Sequence, residues 1–290
     1  MSLYLNQNQS ECPFTTKDSW VILSKIEQSI KRKIESVGTP LKDWKDIKIY
    51  RGVLTGCNEA FIISTDKRNE ILNNCSSEDE RTRTDEIIRP ILRGRDIKRY
   101  GYDWDNKWLI ATFPSRHYDI DLYPALKSYL LKFGKEKLEQ SGKKYQINGV
   151  LVKSRKKTNN QWFETQDSIA YWDLLEHPKI VYSEIVNSPQ FYLDEGKFFP
   201  EATAFVLTGK EEELKYLVKI LNSDYCFYIF KTFYAGGGLG AKGIRYKKAF
   251  IEKLPIPKFT NSREQLRLIA ENNKEQQELL VKRIYTTNVN

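Results

Sequence analysis

Between His177 and Gly209 the chain reads KIVYSEI, FYLDEG and KFFPEATAFVLTG in close succession. Each run is short, alternates in polarity and is rich in β-branched and aromatic side chains. Residues of period two stand on opposite faces of a strand, so these runs predict consecutive antiparallel strands rather than a helix. Glu211 to Tyr228 then switches to helical spacing, with Leu214, Leu217, Val218 and Leu221 on one side. Strands followed by a helix of this kind exclude an all-helical bundle.

The rest of the chain gives weaker signals of the same two kinds. Residues 18 to 37 place Leu23, Ile26, Ile30, Ile34 and Val37 at steps of three and four, with Asp18 or Ser19 as the expected N-cap and Gly38 after it. KIYRGVLTG and EAFIIST predict a β-hairpin turning near Gly56-Cys57-Asn58. EDERTRTDEIIRPIL predicts a short helix ending before Pro90, and WDNKWLIATF at 104 to 113 a strand. From Tyr123, YPALKSYLLKFGKEKLEQ predicts one helix with a stripe of Leu126, Leu130, Phe133 and Leu138; residues 141 to 161 predict an exposed loop. LPIPKF closes the globular part at 254 to 259, and a last solvent-exposed helix follows with Leu266, Ile269, Leu279 and Ile284 as its seam.

The longest apolar run, Tyr225 to Phe230, has six residues, against the ~20 a spanning helix needs. With no signal-peptide pattern at the start, the expectation is a cytoplasmic protein without a membrane segment. Cys12, Cys57, Cys75 and Cys226 form no C-x-x-C pair and read as free thiols. Histidine is confined to His117 and His177, which leaves little for a Ser-His-Asp, Cys-His or His-metal site. Gly238 to Gly243 spells G-x-G-x-x-G, but it follows a helix and leads toward Pro255, the wrong context for a dinucleotide loop. Pro200-Glu201 and Glu213-Leu214-Lys215 loosely match the carboxylates of a metal-dependent nuclease; helical spacing around Glu213 argues against them.

Charge is the more informative property. Lys and Arg number 47 against 38 Asp and Glu, a formal net charge of +9. Residues 127 to 157 hold ten basic side chains against Glu136 and Glu139, and residues 231 to 258 hold seven against Glu252. A third cluster, Arg89, Arg93, Arg95, Lys98 and Arg99, faces only Asp96. What remains is net acidic, so the clusters predict a polyanionic partner whose phosphates relieve their self-repulsion.

Several phrases, read in order, carry a resemblance. LKDWKDIKIYRGVLTGCNEAFII from Leu41, IIRPILRGRDIKRYGYDW, YPALKSYLLKF, WFETQDSIAYWDLLEHPKIVYSEI, LNSDYCFYIF and LPIPKF together resemble the C-terminal specificity region of TaqI-type and type IIG restriction-modification enzymes. The resemblance covers roughly residues 38 to 260. It implies an α+β fold: a mixed, mainly antiparallel sheet recognition domain over 39–259, flanked by an N-terminal helical arm over 1–38 and a C-terminal helix over 260–290. It also implies that the chain reads double-stranded DNA for a methyltransferase or endonuclease module of the same or a partner chain. S-adenosylmethionine and Mg²⁺ belong to that module. The Asn-Pro-Pro-Tyr tetrapeptide of the family's methyltransferases is absent here, so no catalytic or metal-ligating residue is assigned. A nuclease using Glu201, Glu213 and Lys215 and a free-standing type I-like specificity subunit are the alternatives.

On that reading the DNA contacts expected are these. Arg93 and Arg95 flank Gly94 and are the candidates for guanine, with Lys98 and Arg99 beside them. Thr55 and Asn58 sit at the expected hairpin tip. Lys153, Arg155, Lys156 and Lys157 suit phosphates, and Trp162 next to them suits stacking on a base. Lys242 and Arg245 complete the footprint.

Overall fold

In the computed structural model, which describes residues 23–235 and 243–286, the first helix, α1 (Lys25–Val37), opens at Ser24. The Ser24 hydroxyl accepts from the Glu27 amide while the Glu27 carboxylate accepts from the Ser24 amide, closing a capping box. Leu23 and Ile34 of the expected stripe are buried, whereas Ile26 is 73% exposed. Asp18 and Ser19 lie outside the described residues.

The elements that position the site follow in chain order. They are β1 (Lys48–Arg51), β2 (Ile62–Ser64), α2 (Thr65–Asn73), α3 (Glu78–Glu86), β3 (Ile88–Leu92), β4 (Lys107–Ile110) and α4 (Pro124–Leu131). After them come β5 (Lys144–Ile147), β6 (Val150–Lys153), β7 (Lys179–Ser183), β8 (Phe191–Asp194), β9 (Phe199–Pro200) and β10 (Ala204–Thr208). Helices α5 (Glu211–Leu221), α6 (Asp224–Phe233), α7 (Arg263–Ala270) and α8 (Lys274–Thr286) complete the set.

The alternating runs after His177 form the first sheet, in the order β8-β7-β10-β1 with every pair antiparallel. Ile180 stands opposite Leu193 on one side and Leu207 on the other. Both faces of this sheet are covered, so β7 and β10 are buried throughout. Ile180, Tyr182 and Leu207 pack with Leu214, Leu217 and Leu221 of α5, each buried leucine contributing about 1.5 to 3 kcal/mol. Val206, on the opposite face, packs with Ile91, Leu109 and Phe199 of the second sheet. That sheet runs β9-β3-β4-β2; β9 lies parallel to β3 and the other pairs are antiparallel. A further cluster joins it to α2 and α4 through Ile63, Ile71, Ile110, Leu126 and Leu130. The architecture is α+β with mostly antiparallel strands, as expected. No helix among the described residues is long and apolar enough to cross a membrane.

Five local expectations are corrected. Residues 48 to 64 do not form a hairpin: β1 and β2 belong to different sheets, and Asn58–Phe61 is a helical turn between them. The chain is held to this crossing where Gly52 lies against Glu201, since a Cβ there would fall 2.2 Å from the Glu201 carbonyl oxygen. The helix expected from Tyr123 stops at Leu131, and a short turn over Lys135–Leu138 follows Gly134, whose φ of +84° an L side chain rarely adopts. Residues 141 to 161 are not all loop, because β5 and β6 pair as an antiparallel ribbon. The helix expected over 211 to 228 is two. Asn222 interrupts it by exchanging hydrogen bonds with both backbone groups of Phe191, and Ser223 caps α6. The C-terminal helix is likewise α7 and α8, and its seam is Leu268, Leu280, Val281, Ile284 and Tyr285, buried in the main core, while Leu266 and Leu279 are exposed.

Candidate nucleic-acid interface

The three basic clusters turn out to be chemically different. In the first, every charge but that of Arg95 is tied into the fold. Arg89 pairs with Glu176, and Arg99 donates to the Asn222 carbonyl and to Asp224 at 2.8 Å. Arg93 grips Asp96 through Nε at 3.1 Å and Nη2 at 3.2 Å and also pairs with Asp105. Its side chain is 18% exposed and Asp96 is buried. Arg95, 71% exposed, stands 3.8 Å from both Asp96 and Asp105. Lys98 donates to the Arg95 carbonyl at 2.8 Å. Of the two arginines expected to face guanine, Arg95 is therefore the accessible one; Arg93 serves to hold the turn around Gly94.

The second cluster divides in the middle. Lys127, Lys132 and Lys137 pair with Asp121, Glu70 and Glu59. From Gln140 to Phe163 the sequence then contains no carboxylate at all. Lys143, Lys144, Lys153, Lys156 and Lys157 are exposed there, and among the described residues none of the five makes an ion pair. Together they form a run of exposed cations on a stretch that supplies no carboxylate of its own.

Arg155 lies among them in sequence but not in space. Its guanidinium is buried and donates to four carbonyls: Leu138 (2.7 Å), Thr55 (2.9 Å), Glu164 (2.7 Å) and Trp162 (2.7 Å). Desolvation pulls it down to about 10, so it stays charged at neutral pH. The expectation of a phosphate contact fails at this position because the donors are spent inside the protein. Trp162 is half-buried against the α2–α4 cluster, edge-on to Phe163, rather than free to stack.

Thr55 differs from expectation in the same way, whereas Asn58 is exposed and is held by its neighbours. Thr55 is fully buried; its hydroxyl donates to Asn58 Oδ1 at 2.6 Å, and the Asn58 amide reaches Glu201 Oε1 at 3.4 Å. Glu201 also accepts from the amide and hydroxyl of Thr203. Glu213 instead faces Asp46 and Lys210, and Lys215 pairs with Glu211 along its own helix. The three residues of the nuclease alternative do not converge. No group of three His, Cys, Asp or Glu that could hold a metal occurs among the described residues.

In the third cluster Lys242 lies outside the described residues. Arg245 is half-buried on a two-residue strand opposite Ile185, with its Nε enclosed and unpartnered among the described residues.

The ribbon β5–β6 is what sequence reasoning missed. Its signal was present: Ile147-Asn148-Gly149-Val150 puts Asn-Gly between alternating strands, the pattern of a two-residue hairpin turn. Both turn residues have positive φ, +49° and +80°. The base is fixed by Ser141, whose hydroxyl lies 3.0 Å from that of Tyr145 and 2.9 Å from that of Ser154. Tyr145 also donates to Glu139 at 2.7 Å.

With this geometry in view, the comparisons with known proteins carry weight. A model of the TaqI-like C-terminal specificity domain matches residues 89–256, more than half of the chain. The chain belongs to the TaqI-like C-terminal specificity domain family. The family span takes in the arginine turn, the ribbon and most of both sheets. The type II methyltransferase M.BstVI of Geobacillus stearothermophilus is 25% identical over 276 residues, 92% of this chain and 44% of that protein. M.XhoI of Xanthomonas vasicola, also a type II methyltransferase, is 23% identical over 254 residues, 84% of this chain and 40% of its own. This TaqI-like chain thus spans less than half the length of the curated relatives it matches. Among solved structures, the type IIL restriction-modification enzyme MmeI in complex with DNA superposes over 87% of the chain and 34% of MmeI, with a TM-score of 0.56 and 12% identity. That likeness is one of fold.

Proposed function

We propose that this chain reads the sequence of double-stranded DNA and directs a methyltransferase or endonuclease activity carried by a module outside it, in the same polypeptide or in a partner. The observation that carries the reading is the row of five unpaired lysines, Lys143, Lys144, Lys153, Lys156 and Lys157, on a stretch without a carboxylate. Such a surface repels itself in isolation and is relieved by a phosphate backbone. Membership of the TaqI-like specificity family, and relatives that are type II methyltransferases, agree with it.

The test is duplex binding by the full chain as a function of salt. Each neutralised phosphate contributes a slope of about −0.9 in log K against log salt. Five engaged lysines give a slope of roughly −4 to −5, and Lys156→Ala and Lys157→Ala each flatten it by about 0.9. A salt-independent affinity, or none for duplex at low salt, overturns the proposal.

A further inference from the structure

The ribbon β5–β6 has two unequal faces. Register pairs Lys144 with Lys153, Tyr145 with Val152, Gln146 with Leu151 and Ile147 with Val150. Directly opposed residues share a face, so Tyr145, Ile147, Val150 and Val152 form one side and Lys144, Gln146, Leu151 and Lys153 the other. The first side carries the Tyr145 anchor and the half-buried Ile147 and Val152. All four residues of the second side are exposed.

Three properties of that second side need an explanation together. It opposes two lysines directly, an arrangement that destabilises a ribbon unless an anion bridges them. It presents an exposed leucine beside an amide. No residue of the ribbon is buried, although a lone two-stranded hairpin is marginal in water.

We infer that the β5–β6 ribbon enters the DNA major groove tip first, Gln146 and Leu151 of this side reading an A·T pair and Lys144 and Lys153, nearer the base, holding the flanking phosphates. The inference rests on the DNA-reading function proposed above. The dimensions select the groove. Two strands with side chains on both faces are about 10 Å thick, which fits the major groove of about 12 Å and not the minor groove of about 6 Å. Four residues per strand extend about 14 Å, more than the groove depth of about 8.5 Å, so the tip reaches the floor while the base stays at the backbone. The chemistry selects the base pair. A Gln side chain donates to adenine N7 and accepts from its N6 amino group, and an apolar side chain meets the thymine methyl on the same edge. Gln146 and Leu151 are cross-strand neighbours with Cβ atoms about 5 Å apart, close enough to serve one pair or two adjacent ones. A protein partner is disfavoured by the unpaired lysines around the ribbon.

The experiment is selection of preferred sites from a randomised duplex library with the full 290-residue chain, its Gln146→Ala variant and its Leu151→Ala variant. The expected result is a wild-type preference that includes an A·T pair. Gln146→Ala lowers discrimination at that pair roughly 5- to 150-fold while affinity for random-sequence duplex and its salt slope stay unchanged. Leu151→Ala weakens the same pair or its neighbour. Both side chains are exposed, so unchanged thermal midpoints exclude misfolding. A selective wild type whose preferences both variants retain, or a uniform loss over all sequences, overturns the ribbon inference and leaves the DNA-reading function standing. A wild type that binds duplex without preference, or not at all, overturns both.

Discussion

Arg155 donates to the carbonyl oxygen of Thr55, 100 residues earlier in the chain, at 2.9 Å. One guanidinium thereby joins the base of the ribbon to the turn where the chain leaves the first sheet. Replacing it strands four carbonyls, three of them buried and that of Trp162 partly so, and each lost buried partner costs about 1 to 3 kcal/mol before relaxation. Arg155→Met is expected to lower unfolding stability by about 3 kcal/mol or more in urea titration, with a shifted midpoint. A variant that keeps its stability and loses only DNA affinity would return Arg155 to the phosphate-binding set.

Arg93→Ala and Arg95→Ala separate by the same logic. Removing Arg93 leaves the buried Asp96 without its bidentate partner and costs about 2 to 3 kcal/mol. Removing the exposed Arg95 changes stability by no more than about 0.5 kcal/mol. Chemical denaturation of the two variants side by side reads the difference; equal losses would contradict it.

Lys179 and Asp194 form an ion pair with no exposed side-chain surface, 2.5 Å apart. The Lys179 ammonium also donates to the Leu175 carbonyl, and Asp194 Oδ2 accepts from the Phe198 amide. Lys179→Met leaves the carboxylate buried without its cation and is expected to cost about 3 to 5 kcal/mol, much of it regained on adding Asp194→Leu. Burial holds the Lys179 ammonium below the ordinary lysine value. Between that lowered value and about 10.4, where an unfolded lysine titrates, the unfolded chain carries more protons, and this group adds stability as pH rises. The stability difference between wild type and Lys179→Met therefore widens toward alkaline pH. A difference that is constant or narrows there would remove burial as the cause.

Gly52→Ala is expected to be severely destabilising. Its Cβ would meet Glu201 oxygen at 2.2 Å and carbon at 2.6 Å, both backbone atoms that cannot rotate away. The expected loss is about 3 kcal/mol or more, measured as a drop in thermal midpoint. An unchanged midpoint would mean that the two sheets can shift apart here.

Where sequence and structure agree, a short-range pattern decides the outcome. Ile180, Val181 and Tyr182 alternate, and they do send alternate side chains to the α5 side and to the second sheet. The family phrases and the basic clusters were legible for the same reason: they are contiguous. Where they part, a distant contact decides. Lys137 and Arg99 look as free in sequence as Lys156, until Glu59 and Asp224 fold against them. Arg155 reads as one of a basic run, and only the meeting of residues 55, 138, 162 and 164 shows that it is interior. The split of the helix at Asn222 depends on Phe191, thirty-one positions away.

The ribbon stands outside all of this packing, with its base clamped and none of its residues in a core cluster. Substitutions along its outer side are therefore nearly neutral for folding. Variation can accumulate there without compensating changes elsewhere, so lineages carrying this framework can drift in what they bind while remaining equally stable.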